Sequence, residues 1–150
     1  YCSQKRFPEA EALYQRVLTI REKTLGLEHP DTGQILCLLG NLYYTQGKFV
    51  EAELALERGL AIQKKTLGPD NLYTGLTIGG LARLYHTQGK LAEAGRLYRD
   101  SLVTIEKSVG PANQHLIEGL RGYATLLREV GRDAQAIALE NRAGAIQAQL

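Results

Sequence analysis

The chain holds no tryptophan, only two cysteines in 150 residues, and no apolar run long enough to cross a membrane or form a signal-peptide core. It also lacks a charge excess. Its 18 Lys and Arg stand against 16 Asp and Glu, and no basic block concentrates the resulting +2. That balance excludes charge-driven recognition of nucleic acid or of an anionic membrane surface. Cys2 and Cys37 have no metal-binding or redox spacing and are read as reduced thiols of the cytoplasm. Low-complexity tracts are absent too, and 44% hydrophobic residues are enough for one domain with a buried core.

What is present is repetition. "YYTQGKFVEAELALERGLAIQKKTLG" from Tyr43 returns as "YHTQGKLAEAGRLYRDSLVTIEKSVG" from Tyr85, an interval of 42 residues (85 − 43). The same step back reaches Tyr1, and the same step forward reaches a more degraded copy at Leu127. The chain therefore divides into a partial repeat, 1–26, and repeats 27–68, 69–110 and 111–150. It begins without methionine and partway through a repeat, as a piece of a longer array would.

Each repeat reads as two helices. Over 49–67, Ala52, Leu56, Gly59 and Leu60 recur at spacings of three and four, which puts small and apolar side chains on one helix face. Glu51 and Glu53 open that helix and Lys64 and Lys65 close it, both suited to the helix dipole. Gly68 then stops it before Pro69, as Gly26 does ahead of Pro30 and Gly110 does before Pro111. A first, shorter helix carries Leu36, Leu39 and Tyr43, then Ile78, Leu81 and Tyr85, then Leu120, Tyr123 and Leu127. Gly47, Gly89 and Gly131 turn the chain between the two helices. No segment alternates with period two, so strands are not expected.

A period near 42 is shared by β-propeller blades and by HEAT repeats, and the residues decide between them. Gly40, Ala82 and Ala124 are small; three positions later come Tyr43, Tyr85 and Leu127. After the turn glycine come Ala52, Ala94 and Ala136, with Leu56 and Tyr98 four further on. This pattern resembles the tetratricopeptide repeat. The longer unit, with "IREKTLGLEHPDT" over 20–32, is similar to the kinesin light chain class of that family. The resemblance implies an all-α fold: a right-handed superhelical α-solenoid of antiparallel helix hairpins.

The last helix reads as a polar cap, because Glu140 and Gly144 stand where Tyr98 and Leu102 stood one repeat earlier, followed by Gln147 and Gln149. Residues 1–5 read as the tail of a preceding helix. The helix over 7–25 then lacks a partner and leaves Leu13, Val17 or Leu18 uncovered, a route to self-association.

Signs of catalysis are few. His29, His86 and His115 fall in different repeats, and His29, in "EHPD", is read as helping the chain enter the next helix. No HExxH, CxxC, phosphate loop or nucleophile elbow is present, so no metal, cofactor or enzyme activity is expected. The resemblance implies instead a non-catalytic module that binds a peptide or helix of a partner protein in a concave groove lined by the first helices. Carried over from the family, the groove positions are Gln34, Cys37, Leu38, Asn41, Tyr44 and Thr45; Leu76, Gly79, Gly80, Arg83, His86 and Thr87; and Glu118, Arg121, Gly122, Thr125, Arg128 and Glu129.

Two departures narrow that implication. The first helices contain no lysine, which speaks against the carboxylate clamp of chaperone adaptors. The asparagine pairs of kinesin light chains are replaced by Cys37-Leu38, Gly79-Gly80 and Arg121-Gly122. Gly79 and Gly80 leave a bare floor that a partner backbone could approach, and the arginines lean toward an acidic or mixed-charge partner. Tyr44, His86 and Arg128 form a row suited to anchor a partner. The alternatives are a sensor arm of a larger NTPase or protease, or a self-associating structural array.

Overall fold

The repeated glycines set the architecture. In the computed structural model, which describes residues 7–26 and 29–150, Gly26, Gly68 and Gly110 have φ of 98°, 92° and 95°. Gly47, Gly89 and Gly131 have φ of 79°, 82° and 82°. A side chain at such angles costs roughly 1–2 kcal/mol, so glycine at these six places fixes where each helix ends and how it turns. The described residues form α1 (Phe7–Thr24), α2 (Pro30–Thr45), α3 (Phe49–Thr66), α4 (Leu72–Thr87), α5 (Leu91–Val109), α6 (Leu116–Glu129) and α7 (Asp133–Ala148), with no strand among them.

A side chain at one register accepts a backbone amide near the entry to the first helix in three repeats. His29 Nδ1 accepts the Asp31 amide at 3.1 Å, which gives this histidine the entry role read from the sequence. Forty-two residues on, Asn71 Oδ1 accepts from Tyr73 N at 2.9 Å, and Asn113 Oδ1 from His115 N at 2.9 Å. The first two bonds each satisfy an amide that the first helical turn leaves without a partner, and the third lies in the turn just ahead of α6.

The helices gather into two compact units, one ending at Gly68 and the other beginning at Pro69. In the first, Ile35, Leu36 and Leu39 of α2 pack with Ala52, Leu56 and Ile62 of α3, all buried. Two glycines permit the close approach. A Cβ on Gly40 would lie 2.6 Å from Leu56 Cγ, and one on Gly33 would lie 3.0 Å from Ile62 Cγ2. Helix α1 has no buried residue. Leu13 is 57% exposed, while Val17 and Leu18 are half-buried. Polar contacts tie α1 to its neighbours: Gln15 Nε2 donates to the Tyr43 hydroxyl (3.0 Å), Lys48 pairs with Glu11 (3.1 Å), and Arg58 pairs with Glu22. Residues 1–5 and Cys2 lie outside the described residues.

In the second unit, one apolar cluster joins three helices: Leu102 and Ile105 of α5, Leu116, Ile117 and Leu120 of α6, and Ala143 and Ile146 of α7. A second joins Ala82, Ala94, Tyr98 and Leu126. Gly75 again marks a close approach, with a Cβ there only 2.8 Å from Ile105 Cγ1. The buried Ser101 hydroxyl donates to the Gly75 carbonyl at 2.7 Å. Helix α7 buries only Ala136, Ala143 and Ile146; Glu140 and Gln147 are exposed on it, as is Gln149 just past its end. Arg128 of α6 reaches α7, its Nε donating to Glu140 Oε2 at 3.0 Å. This hydrogen bond, with the guanidinium charge, holds the Glu140 carboxyl below its usual range.

Three outcomes follow from this packing. Gly40→Val should destabilise the protein by about 1–3 kcal/mol in urea denaturation, because a branched side chain overpacks against Leu56. Gly144→Ala should do the reverse, adding roughly 0.5–1 kcal/mol, since a Cβ at Gly144 meets nothing within 4 Å. The two signs distinguish packing glycines from idle ones. In NMR titration Glu140 should ionise at lower pH than a free glutamate, and Arg128→Gln should return it toward the ordinary value. Because Glu140 is lowered in the folded state, the pair's contribution is present above the unfolded carboxyl's pKa and fades as pH falls through the folded one.

Candidate functional site

The first helices carry the residues selected from the sequence, and their surroundings differ. On α2, Gln34, Leu38, Asn41 and Thr45 are exposed at spacings of four, three and four, a single strip along the helix. Cys37 and Tyr44 flank that strip and are half-buried. Cys37 Sγ lies 2.8 Å from where a Cβ on Gly59 of α3 would be, and the Tyr44 ring lies 5.8 Å from that of Phe49. On α4, Leu76 and Thr87 are exposed, and Gly80, Arg83 and His86 are half-buried. On α6, Glu118, Arg121, Thr125, Arg128 and Glu129 are exposed.

Two of the helical glycines, Gly79 and Gly122, are accounted for within the fold. A Cβ on Gly79 would stand 2.9 Å from Ser101 Oγ of α5, and one on Gly122 would stand 2.9 Å from the Tyr98 hydroxyl. Gly79 and Ser101 stand 42 residues after Cys37 and Gly59 (79 − 37; 101 − 59). Where α2 presents a thiol its partner helix has glycine, and where α4 has glycine its partner presents a hydroxyl. The floor at 79 and 122 is filled from inside the hairpin stack.

Electrostatics on this face are mostly internal. Arg83 Nη1 lies 3.4 Å from Glu118 Oε1, joining α4 to α6. His86 Nε2 lies 3.1 Å from Glu129 Oε1, and Arg128 is bonded to Glu140. The positive lean of the sequence is thus offset by carboxylates of the same unit. Arg121 is the exposed arginine of α6 with no ion pair among the described residues. Thr45, Thr87 and Thr125 each donate a hydroxyl to the carbonyl four residues earlier, at 3.0 Å.

Sequence reasoning passed over two features. Tyr73, three residues before Leu76 and on the same face of α4, is 55% exposed and extends the apolar end of that face. Tyr98, read only as core, stacks on Tyr123 with centroids 5.9 Å apart and presents its hydroxyl to His86 at 3.3 Å. Gly122, opposite Tyr98, was the available signal. Among the described residues no three His, Cys, Asp or Glu side chains converge as a metal site would require, and no helix is long and apolar enough to cross a membrane.

Comparison with known proteins gives this geometry its family. No curated protein matches the sequence. Tetratricopeptide-repeat models match residues 1–65 and 74–115. Among solved structures, the chain is similar to BtubC (BKLC) from P. vanneervenii, with a TM-score of 0.85 and 19% identity over 97% of this chain. It spans 58% of BtubC's length, and at that identity the likeness is one of fold. It is also similar to a putative kinesin light chain from Podosopora anserina with nearly identical TPR-like repeats. The identity is 28% over 97% of this chain, with a TM-score of 0.71 over 69% of that protein and 0.79 over 68% of a point variant of it. Repeat, hairpin packing and matches together make one statement: the chain belongs to the tetratricopeptide-repeat family, in its kinesin light chain-like form.

Proposed function

We propose that the array is a non-catalytic module that binds a peptide or helix of a partner protein along the outward faces of its first helices. Tetratricopeptide repeats mediate protein–protein interaction and are generally non-catalytic. The observation that carries the reading is the strip Gln34, Leu38, Asn41 and Thr45 on α2, which the core does not use. Tyr73 and Leu76 give α4 a comparable apolar end. In the first unit Leu38 takes an apolar side chain of the ligand and the amides of Gln34 and Asn41 take its main chain; in the second, the Tyr73–Leu76 pair offers an apolar contact of its own. With most charges on α4 and α6 already paired, Arg121 supplies the face's preference for a carboxylate, so the ligand is of mixed charge rather than strongly acidic.

Selection from a random displayed peptide library, followed by titration of the winning peptide, tests this. Gln34→Ala, Leu38→Ala and Asn41→Ala together should weaken Kd by tenfold or more, about 1.4 kcal/mol or greater. Leu54→Ala, on the exposed side of α3, should leave it unchanged. Equal Kd values for the triple variant and the parent, or loss confined to Leu54→Ala, would overturn the assignment.

A further inference from the structure

Helix α1 leaves open a side that its counterparts bury. The residues 42 and 84 positions after Ile20 are Ile62 and Thr104 (62 − 20; 104 − 20). They are 5% and 8% exposed, against 55% for Ile20. A Cβ on Gly33 of α2 would meet Ile62 at 3.0 Å, and one on Gly75 of α4 would meet Thr104 at 3.1 Å. This register therefore faces the first helix of its own hairpin. Leu13 is likewise exposed where Ala55 of α3 is buried, and no described helix covers that side of α1. Its other side is in use, since Glu11, Gln15 and Glu22 reach Lys48, Tyr43 and Arg58.

The open side is built as a seam. Ala10, Leu13, Val17, Ile20 and Thr24 alternate at spacings of three and four, the pattern by which two helices pair in a coiled coil. Glu9, Arg16 and Lys23 follow one edge of it at intervals of seven. All three are exposed, and none has an ion pair among the described residues. The opposite edge, Tyr14 and Arg21, is half-buried, and Arg21 Nη1 donates to the Asp31 carbonyl of α2 at 2.9 Å. We propose that this seam is a dimerisation surface, and that its occupant is α1 of a second copy running antiparallel.

The pattern is complementary to itself in that orientation. About a twofold axis near the middle of the helix, Leu13 meets Val17 of the second copy, and Ala10 meets Ile20, a small residue against a large one. Glu9 then lies beside Lys23 of the second copy, and symmetry supplies the pair twice. Arg16 meets its own copy near the axis, a like pair at an open edge where solvent and salt screen it. A parallel pair has no such compensation: it sets Arg16 against Arg21 twice and brings Glu9 beside Tyr14. The apolar seam drives association, and the charged edge selects the orientation. Helices of 18 residues pair over a small area, so the dimer forms and parts with concentration.

The measurement is sedimentation equilibrium of the chain across a concentration series. Mass should climb from 16.5 kDa toward 33 kDa (2 × 16.5) as concentration rises. Leu13→Glu with Ile20→Glu should hold the chain at the monomer mass and keep its helical circular dichroism, since both side chains are already exposed. Glu9→Lys and Lys23→Glu should each weaken the dimer, because each sets like charges together at both ends of the seam. Mixed in equal amounts, those two variants should pair about tenfold more tightly than either does alone, every Glu9–Lys23 contact between them being again opposite in charge. A parent of monomer mass at every concentration, a dimer that survives the paired glutamates, or no gain on mixing would each defeat the proposal. Should the paired glutamates prevent folding, the parent's mass and the mixing experiment decide.

Discussion

Close approach between the two helices of a hairpin is the constraint on which the rest depends. Gly33 and Gly40 let α2 settle against Ile62 and Leu56, and Gly75 and Gly79 let α4 settle against Ile105 and Ser101. Added side-chain atoms at those contacts would separate the helices, and buried leucines and isoleucines would lose the dispersion contacts that make their burial favourable. A glycine inside a helix costs about 1 kcal/mol relative to alanine. That loss is small beside the transfer of several large side chains from water, each contributing about 1.5–3 kcal/mol. The first helices are thereby pinned on one side, and their opposite sides are left available.

Turn chemistry then makes the arrangement repeat. Glycines with positive φ recur at both ends of the second helices, and the side-chain-to-amide bonds of His29, Asn71 and Asn113 recur near the entry to the first. Exposed ion pairs such as Lys48 with Glu11 add little stability, typically below about 1 kcal/mol each. On α4 and α6 their larger effect is to neutralise a face that composition alone describes as basic.

Much of this was legible in the sequence because the same physical demand is written several times. Apolar positions such as Leu39 and Leu81, the turn glycines and the stop glycines agree in register across copies, so periodicity reveals both helices and their boundaries. The candidate face was less legible. Gly79 and Gly122 have no side chain to announce which neighbour fills the space, and their partners Ser101 and Tyr98 lie 22 and 24 residues away (101 − 79; 122 − 98). The link from His86 to Glu129 crosses 43 residues, a distance over which spacing on one helix carries no information.

The reciprocal fit of Cys37 with Gly59 and of Gly79 with Ser101 bears on how such arrays can grow. Exchanging α3 for α5 would bring Ser101 against Cys37, two side chains in a space shaped for one, and set Gly59 opposite Gly79 with a void between them. A whole hairpin carries its matched pair with it and avoids both faults. Duplication that copies hairpins therefore preserves this contact, whereas breakpoints between a first and a second helix would mismatch it. At this contact the unit that can be copied without loss is the hairpin, and single helices are not interchangeable parts.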